Sequence, residues 1–171
     1  MKSGIQKINL KEKSYSIKAN NPFEDFAYLR AMEESESVSE TSGWIPDHLG
    51  EIENKKLISF MPLYKKFNSY GEFIFDHQWA HALQRAGRNY YPKLLTAIPF
   101  TPCEGDRILA KNKRNKFNLI DAGIKKMEIE QIESWHILFP NEDCKNVLRD
   151  KNFIERFNYR FTWINDDFYD F

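Results

Sequence analysis

Two short apolar runs limit what this chain can fold into. Residues 57–64 (LISFMPLY) and 93–100 (KLLTAIPF) carry apolar side chains on both faces, the pattern of strands enclosed within a sheet. Pro62 marks a bulge or the place where pairing stops in the first run. Pro99 and Pro102 end the second. Residues 49–53 precede the first run across Asn54, Lys55 and Lys56, so the two segments are expected to form a β-hairpin with Asn54 in a left-handed turn conformation.

Helical patterns surround these strands. Asn21 is placed to cap a helix whose first position is Pro22, with Glu24 and Asp25 complementing the dipole. Phe23, Phe26, Leu29 and Met32 line one face of it, and it ends near Glu34 before the polar loop SESVSETSG. A second short helix is expected from Asp76 as N-cap to Gly87 as its stop. Residues 108–118, with Lys111, Lys113, Arg114 and Lys116, read as a basic linker before a helix over 119–132. WHILF (135–139) is a strand, Asn141 caps a helix to Arg149, and 153–164 alternates as a long final strand. Residues 5–17 supply an edge element, and the interleaving of strands and helices indicates an α/β fold with a mixed sheet.

Composition removes several function classes. With 25 basic and 25 acidic side chains, net charge gives no reason to expect DNA or a membrane as partner. A 42% hydrophobic and 15% aromatic content argues for a packed core. Cys103 and Cys144 form no CxxC, which indicates free thiols, and no apolar run reaches the length of a signal peptide or a membrane span. A cytoplasmic protein is the expectation.

Polar groups of catalytic type concentrate in residues 70–107. Glu72, Asp76 and His77 make an acid–base group if the turn brings them together; the alternative is a capping Asp76 beside an exposed Glu72. His77 and His81 stand four apart as in a zinc helix, but the sequence HQWAH puts Gln78 where a metalloprotease needs its general base, and zinc is not expected. Tyr90 and Tyr91, being adjacent, divide between core and rim. No P-loop, GxGxxG or GxSxG occurs.

Three blocks carry a resemblance: GWIPDHL (43–49), PLYKKFNSYGEFIFDHQWAHA (62–82) and YYPKLLTAIPFTPCEGDR (90–107). Together they resemble the bacterial FemAB-like peptidoglycan biosynthesis/recognition family, placed among the N-acyltransferases of the GNAT superfamily. The resemblance runs from about Asn21 to the end and implies a mixed, largely antiparallel GNAT-like sheet flanked by helices. It implies one such domain over 21–171, after an N-terminal edge segment 1–20, and lacking the C-terminal half with which family members continue.

By the same resemblance the protein is an acyl- or aminoacyltransferase acting on a cell-wall precursor peptide, with acyl-CoA or aminoacyl-tRNA as acyl donor. Glu72, Asp76 and His77 are then the catalytic candidates. Tyr70, Trp79, Tyr90, Tyr91, Lys93, Thr101 and Arg107 are the substrate-binding candidates, and the whole set is expected to line one cleft. The sequence departs from the GNAT pattern: QRAGRN (84–89) lacks the glycines of a Q/R-x-x-G-x-G/A pyrophosphate segment, so no cofactor is assigned to this half. That departure raises a second reading, a non-catalytic recognition module or one part of a split or truncated transferase, completed by a C-terminal half on a second chain. Phe168, Tyr169 and Phe171 form an apolar end from which self-association is expected.

Overall fold

Pro62 divides the first apolar run between two sheets. The computed structural model describes residues 4–11, 15, 17–74, 76–157, 159, 161–167 and 169. In chain order its elements are β1 (Gly4–Lys7), a 3-10 turn (Pro22–Glu24), α1 (Phe26–Glu34), β2 (Trp44–Pro46), β3 (Leu49–Glu53), β4 (Lys56–Met61) and β5 (Tyr64–Lys66). After these come α2 (His77–Arg85), β6 (Lys93–Thr96), β7 (Leu109–Ala110), α3 (Lys113–Glu130), β8 (Trp135–Ile137) and α4 (Glu142–Asp150).

One sheet has the order β1-β3-β4-β7 and the other β2-β5-β6-β8. β4 belongs to the first and β5 to the second, because Pro62 has no N–H to donate and pairing stops there. Every strand pair is antiparallel except β6–β8, whose parallel pairing requires the long crossover that α3 supplies. The architecture is the mainly antiparallel α/β arrangement expected of a GNAT-like fold. β3 and β4 form the expected hairpin, and both turn residues, Asn54 and Lys55, take positive φ (48° and 67°) as a two-residue turn of this kind demands.

Both sheets contribute to one core. Leu49 and Met61 from the first sheet meet Leu94 of the second and Leu63 between them, over Leu119 and Ile120 of α3 and Cys144, Val147 and Leu148 of α4. A second cluster packs Phe26 and Leu29 of α1 on Phe60, together with Ile8 and Leu10 beyond the β1 edge strand. A third surrounds Trp44, Tyr64 and Leu95.

Several expectations are corrected. The first helix divides into a 3-10 turn capped by Asn21 and an α-helix capped by Asp25, whose extended backbone (ψ 141°) interrupts the run. Glu24 is accordingly buried and complements no dipole. The basic segment is the first turns of α3: Asn112 accepts from the N–H of Asn115 and starts the helix at Lys113. Residues 153–164 form no strand among the described residues: Phe153 is half-buried against Trp135, and Ile154, Phe157, Phe161 and Ile164 stand exposed. Tyr169 is exposed, while Phe168 and Phe171 lie outside the described residues. Among those residues no helix is long and apolar enough to cross a membrane.

Candidate functional site

The register of the second sheet builds the site. Trp44 pairs with Lys66 and Lys66 with Lys93, so three side chains from β2, β5 and β6 form a row across one face. Leu95, two residues beyond Lys93 on that face, pairs with His136 of β8. Both lysines are fully buried. A buried ammonium requires partners, and the segment 67–76 supplies them.

Lys93 Nζ donates to Glu72 Oε2 at 2.7 Å, to Asp76 Oδ2 at 2.5 Å and to Ser69 Oγ at 2.8 Å. Lys66 Nζ donates to the carbonyl of Tyr70 at 3.0 Å, lies 3.9 Å over the Trp44 ring and stands 3.9 Å from Glu72 Oε1. The Asp76 carboxylate also accepts from Tyr90 Oη at 2.6 Å and from Ser69 Oγ at 2.9 Å. Because Tyr90 spends its proton on Asp76, the contact of 2.9 Å between its oxygen and His136 Nε2 is donated by His136. Tyr91 reaches Ser69 Oγ at 2.8 Å, so both tyrosines meet the cluster.

Burial acts on each charge, and partners decide the result. Burial pushes the Asp76 carboxyl up, but hydrogen bonds from Lys93, Tyr90 and Ser69 outweigh it and hold it at about 2. Glu72 is raised by burial, with Lys93 opposing only in part. Burial brings the Lys66 ammonium down to about 8 against the pull of Glu72. Burial and then the charge of Lys93 lower His136 to about 4, which keeps its imidazole neutral near pH 7. The cluster therefore contains a carboxylate ionised at neutral pH, Asp76, beside a carboxylate with raised proton affinity, Glu72. Glu72 Oε1 and Asp76 Oδ1 are both buried without a hydrogen-bond partner.

The sequence candidates thus separate. Glu72, Asp76, Tyr90, Tyr91 and Lys93 converge. Asp76 makes no side-chain cap on α2, since its carboxylate is engaged with Lys93, and Glu72 is not exposed. Lys93 meets the anions of its own chain. His77 sits on the exposed face of α2, a helix with no buried residue. Trp79 and Tyr70 are exposed; Trp79 lies 5.2 Å from the Arg156 guanidinium, and Tyr70 contributes its carbonyl alone.

Thr101 and Arg107 belong to a second group beyond the carboxyl ends of β6 and β8. Arg107 donates to the carbonyls of Leu138 at 2.7 Å and Cys103 at 2.5 Å and faces Glu24 Oε1 at 3.5 Å. A Cβ at Gly105 would come within 1.8 Å of Glu24 Oε1, so a larger residue there would displace the Glu24 carboxylate. Thr101 meets the Tyr28 hydroxyl at 3.1 Å. Among the described residues, no group of three or more His, Cys, Asp or Glu side chains is placed to hold a metal ion.

Lys66, Ser69, Trp44 and His136 went unread in the sequence. The signal that identifies Lys66 and Lys93 is a lysine at an inward position of a strand whose same-face neighbours are apolar.

The chain matches the family model described as FemAB-like, peptidoglycan biosynthesis/recognition, over residues 4–171. It belongs to the FemAB-like family. The match includes β1 and every element of both sheets, so the family's association with peptidoglycan biosynthesis or recognition covers the whole described fold. No curated protein and no solved structure gives a significant match.

Proposed function

We propose that this FemAB-like chain is an acyl- or aminoacyltransferase-like protein that modifies the peptide of a cell-wall precursor, with the buried cluster as the site that receives the amine acceptor. The observation that carries this reading is the pair of buried carboxylate oxygens that accept no hydrogen bond, Glu72 Oε1, which has only the Lys66 ammonium at 3.9 Å, and Asp76 Oδ1. Two buried acceptors without donors fit the N–H groups of an incoming amine.

In the reaction the amine nitrogen attacks the acyl carbonyl of acyl-CoA or aminoacyl-tRNA. The new C–N bond forms as the thioester C–S or ester C–O bond breaks, and the leaving thiol or hydroxyl takes a proton. Glu72, whose proton affinity is raised by burial, takes the proton that the amine loses. Lys93 and Asp76 are positioning residues: Lys93 orients both carboxylates, and Asp76 holds Lys93 and Tyr90. The acyl donor is assigned to the carboxyl ends of the parallel pair β6–β8, the usual ligand position of such strands, next to Thr101 and Arg107. A cytoplasmic location goes with these donors.

A second reading, recognition without turnover, is favoured by one observation. Lys66, Lys93, Glu72 and Asp76 are all buried and compensate one another's charge, which is also how a purely structural latch is built.

Incubating the chain with labelled acyl-CoA or aminoacyl-tRNA and precursor peptide separates the two. The transferase reading expects transfer that Glu72→Gln reduces by 10²-fold or more, on the order of a general-base contribution, with circular dichroism unchanged. Stabilisation by the peptide without any transfer would replace it with the recognition reading.

A further inference from the structure

Glu24 and Arg107 leave three buried hydrogen-bonding atoms unused. Glu24 is 4% exposed and Arg107 is fully buried. Arg107 spends Nε on the Leu138 carbonyl and Nη2 on the Cys103 carbonyl, while its Nη1 has no acceptor. Neither Oε1 nor Oε2 of Glu24 accepts a hydrogen bond. The two groups face each other as an ion pair, with Nη1 3.5 Å from Oε1, which is beyond hydrogen-bond length. Burial raises the proton affinity of Glu24, and the Arg107 charge and the backbone near Asp106 and Asn21 oppose it without overcoming it. Buried polar atoms of a native fold are normally satisfied, so three such atoms in one place point to a further partner.

Their order says what that partner must offer. Nη1 is a donor, and the oxygen it faces, Oε1, and the neighbouring Oε2 are acceptors. The complement is an edge that presents one acceptor followed by two N–H donors. An ammonium ion has no acceptor for Nη1, and a carboxylate ligand has no donor for Glu24. A trans secondary amide holds its N–H and C=O on opposite sides. The Watson–Crick edge of guanine carries O6, N1–H and the 2-amino group in the required order, on a neutral ring that is less costly to desolvate than an ion. An aromatic side chain stands at the rim as a stacking face: Phe23 adjoins Glu24, is 40% exposed and packs edge-on to Tyr28 with centroids 5.3 Å apart.

We propose that Glu24 and Arg107 form a binding site for a guanine base, with Nη1 donating to O6 and the two Glu24 oxygens accepting from N1–H and the 2-amino group. Entry is by way of the segment 101–104, which belongs to no helix or strand. It closes over the pair through the Cys103 carbonyl on Arg107 and through long contacts of Asn21 Nδ2 with Cys103 Sγ (3.6 Å) and the Glu104 carbonyl (3.5 Å). The site lies at the end of the sheet assigned above to the acyl donor, but the proposal stands without any transfer activity and is read by binding alone.

Calorimetric titration of the full chain with GMP, IMP and AMP tests it, because the three share ribose and phosphate and differ only at the base edge. GMP is expected to bind. IMP lacks the 2-amino group and AMP presents a donor where Nη1 needs an acceptor, so each should bind about tenfold or more weaker, the size of one hydrogen bond to a charged group. Neopterin carries the same edge on a different molecule; binding of either supports the site, and the tighter of the two names its source. Glu24→Gln should erase the preference for GMP over IMP, whereas a merely structural Glu24 would change the affinity for both alike. If that variant fails to fold, the GMP to IMP ratio of the wild type decides alone. No binding of GMP or neopterin at millimolar concentration, as when ordered water alone serves the three atoms, or equal binding of GMP, IMP and AMP, would overturn the proposal.

Discussion

Asp76 and His136 both lose proton affinity on folding, and both therefore tie stability to pH in the same direction. His136 falls from its ordinary 6.5 to about 4. Between those values the unfolded chain binds the proton and the folded chain does not, so stability drops as pH falls from 6.5 to 4. At 1.36 kcal/mol per pKa unit the full effect is at most about 3 kcal/mol. Asp76 falls from 3.8 to about 2, and its contribution, present above pH 3.8, is lost as pH falls towards 2. Glu72, raised by burial, works in the opposite sense. Urea unfolding from pH 7 to 4 should show a slope in the wild type that is largely absent in His136→Gln; identical slopes would remove His136 from the cluster's energetics. At this scale the sequence was half legible. Glu72, Asp76, Tyr90 and Lys93 stood out because polar and aromatic residues crowd residues 70–107. Lys66 and His136 did not, because only the register between β5, β6 and β8 brings them in.

Helix α3 records both the strength and the failure of sequence reading at the scale of an element. Its apolar spacing was plain at Ile120, Ile124 and Met127, yet its start was hidden by lysines that look like a solvated linker. Two of them are paired: Lys113 with Asp150 at 2.6 Å and Lys116 with Asp106 at 3.0 Å. The final alternation at 153–164 shows the converse, because a strand pattern has no ladder to join without an adjacent strand. Along α3 the decisive position is Gly123, buried against β8. Alanine there gains up to about 1 kcal/mol of helix propensity. Its Cβ, however, would stand 2.5 Å from the Trp135 ring, which is itself held by a bond from its indole N–H to Thr96 Oγ1 at 3.0 Å and by Phe153. The ring cannot retreat freely, so Gly123→Ala should lower stability by about 1–3 kcal/mol, as overpacking does. Denaturant unfolding measures it, and a stabilised variant would mean that Trp135 yields.

Across the whole molecule, two sheets and two helices share one apolar cluster, and this decides how the chain unfolds. Class and element order were readable from patterning, but the partition into two sheets was not: a proline in a strand reads equally as a bulge, an end or a change of sheet. Leu49 and Met61 on one side and Leu63 and Leu94 on the other meet at Leu119 and Ile120. Neither sheet can lose α3 without exposing this cluster to water. Ion pairs reinforce the link, since Lys126 of α3 reaches Asp47 at 2.6 Å, between β2 and β3, while Glu130 reaches Lys65 of β5 at 2.5 Å. Ile120 is fully buried at the junction, so Ile120→Ala should cost about 2–5 kcal/mol. Because both sheets rest on it, the loss should fall on both. Native-state hydrogen exchange reads this directly: the slowest amides of β3 and β4 and those of β5 and β6 should lose protection by the same free energy in the variant. Protection lost in one sheet and kept in the other would show that the sheets open independently.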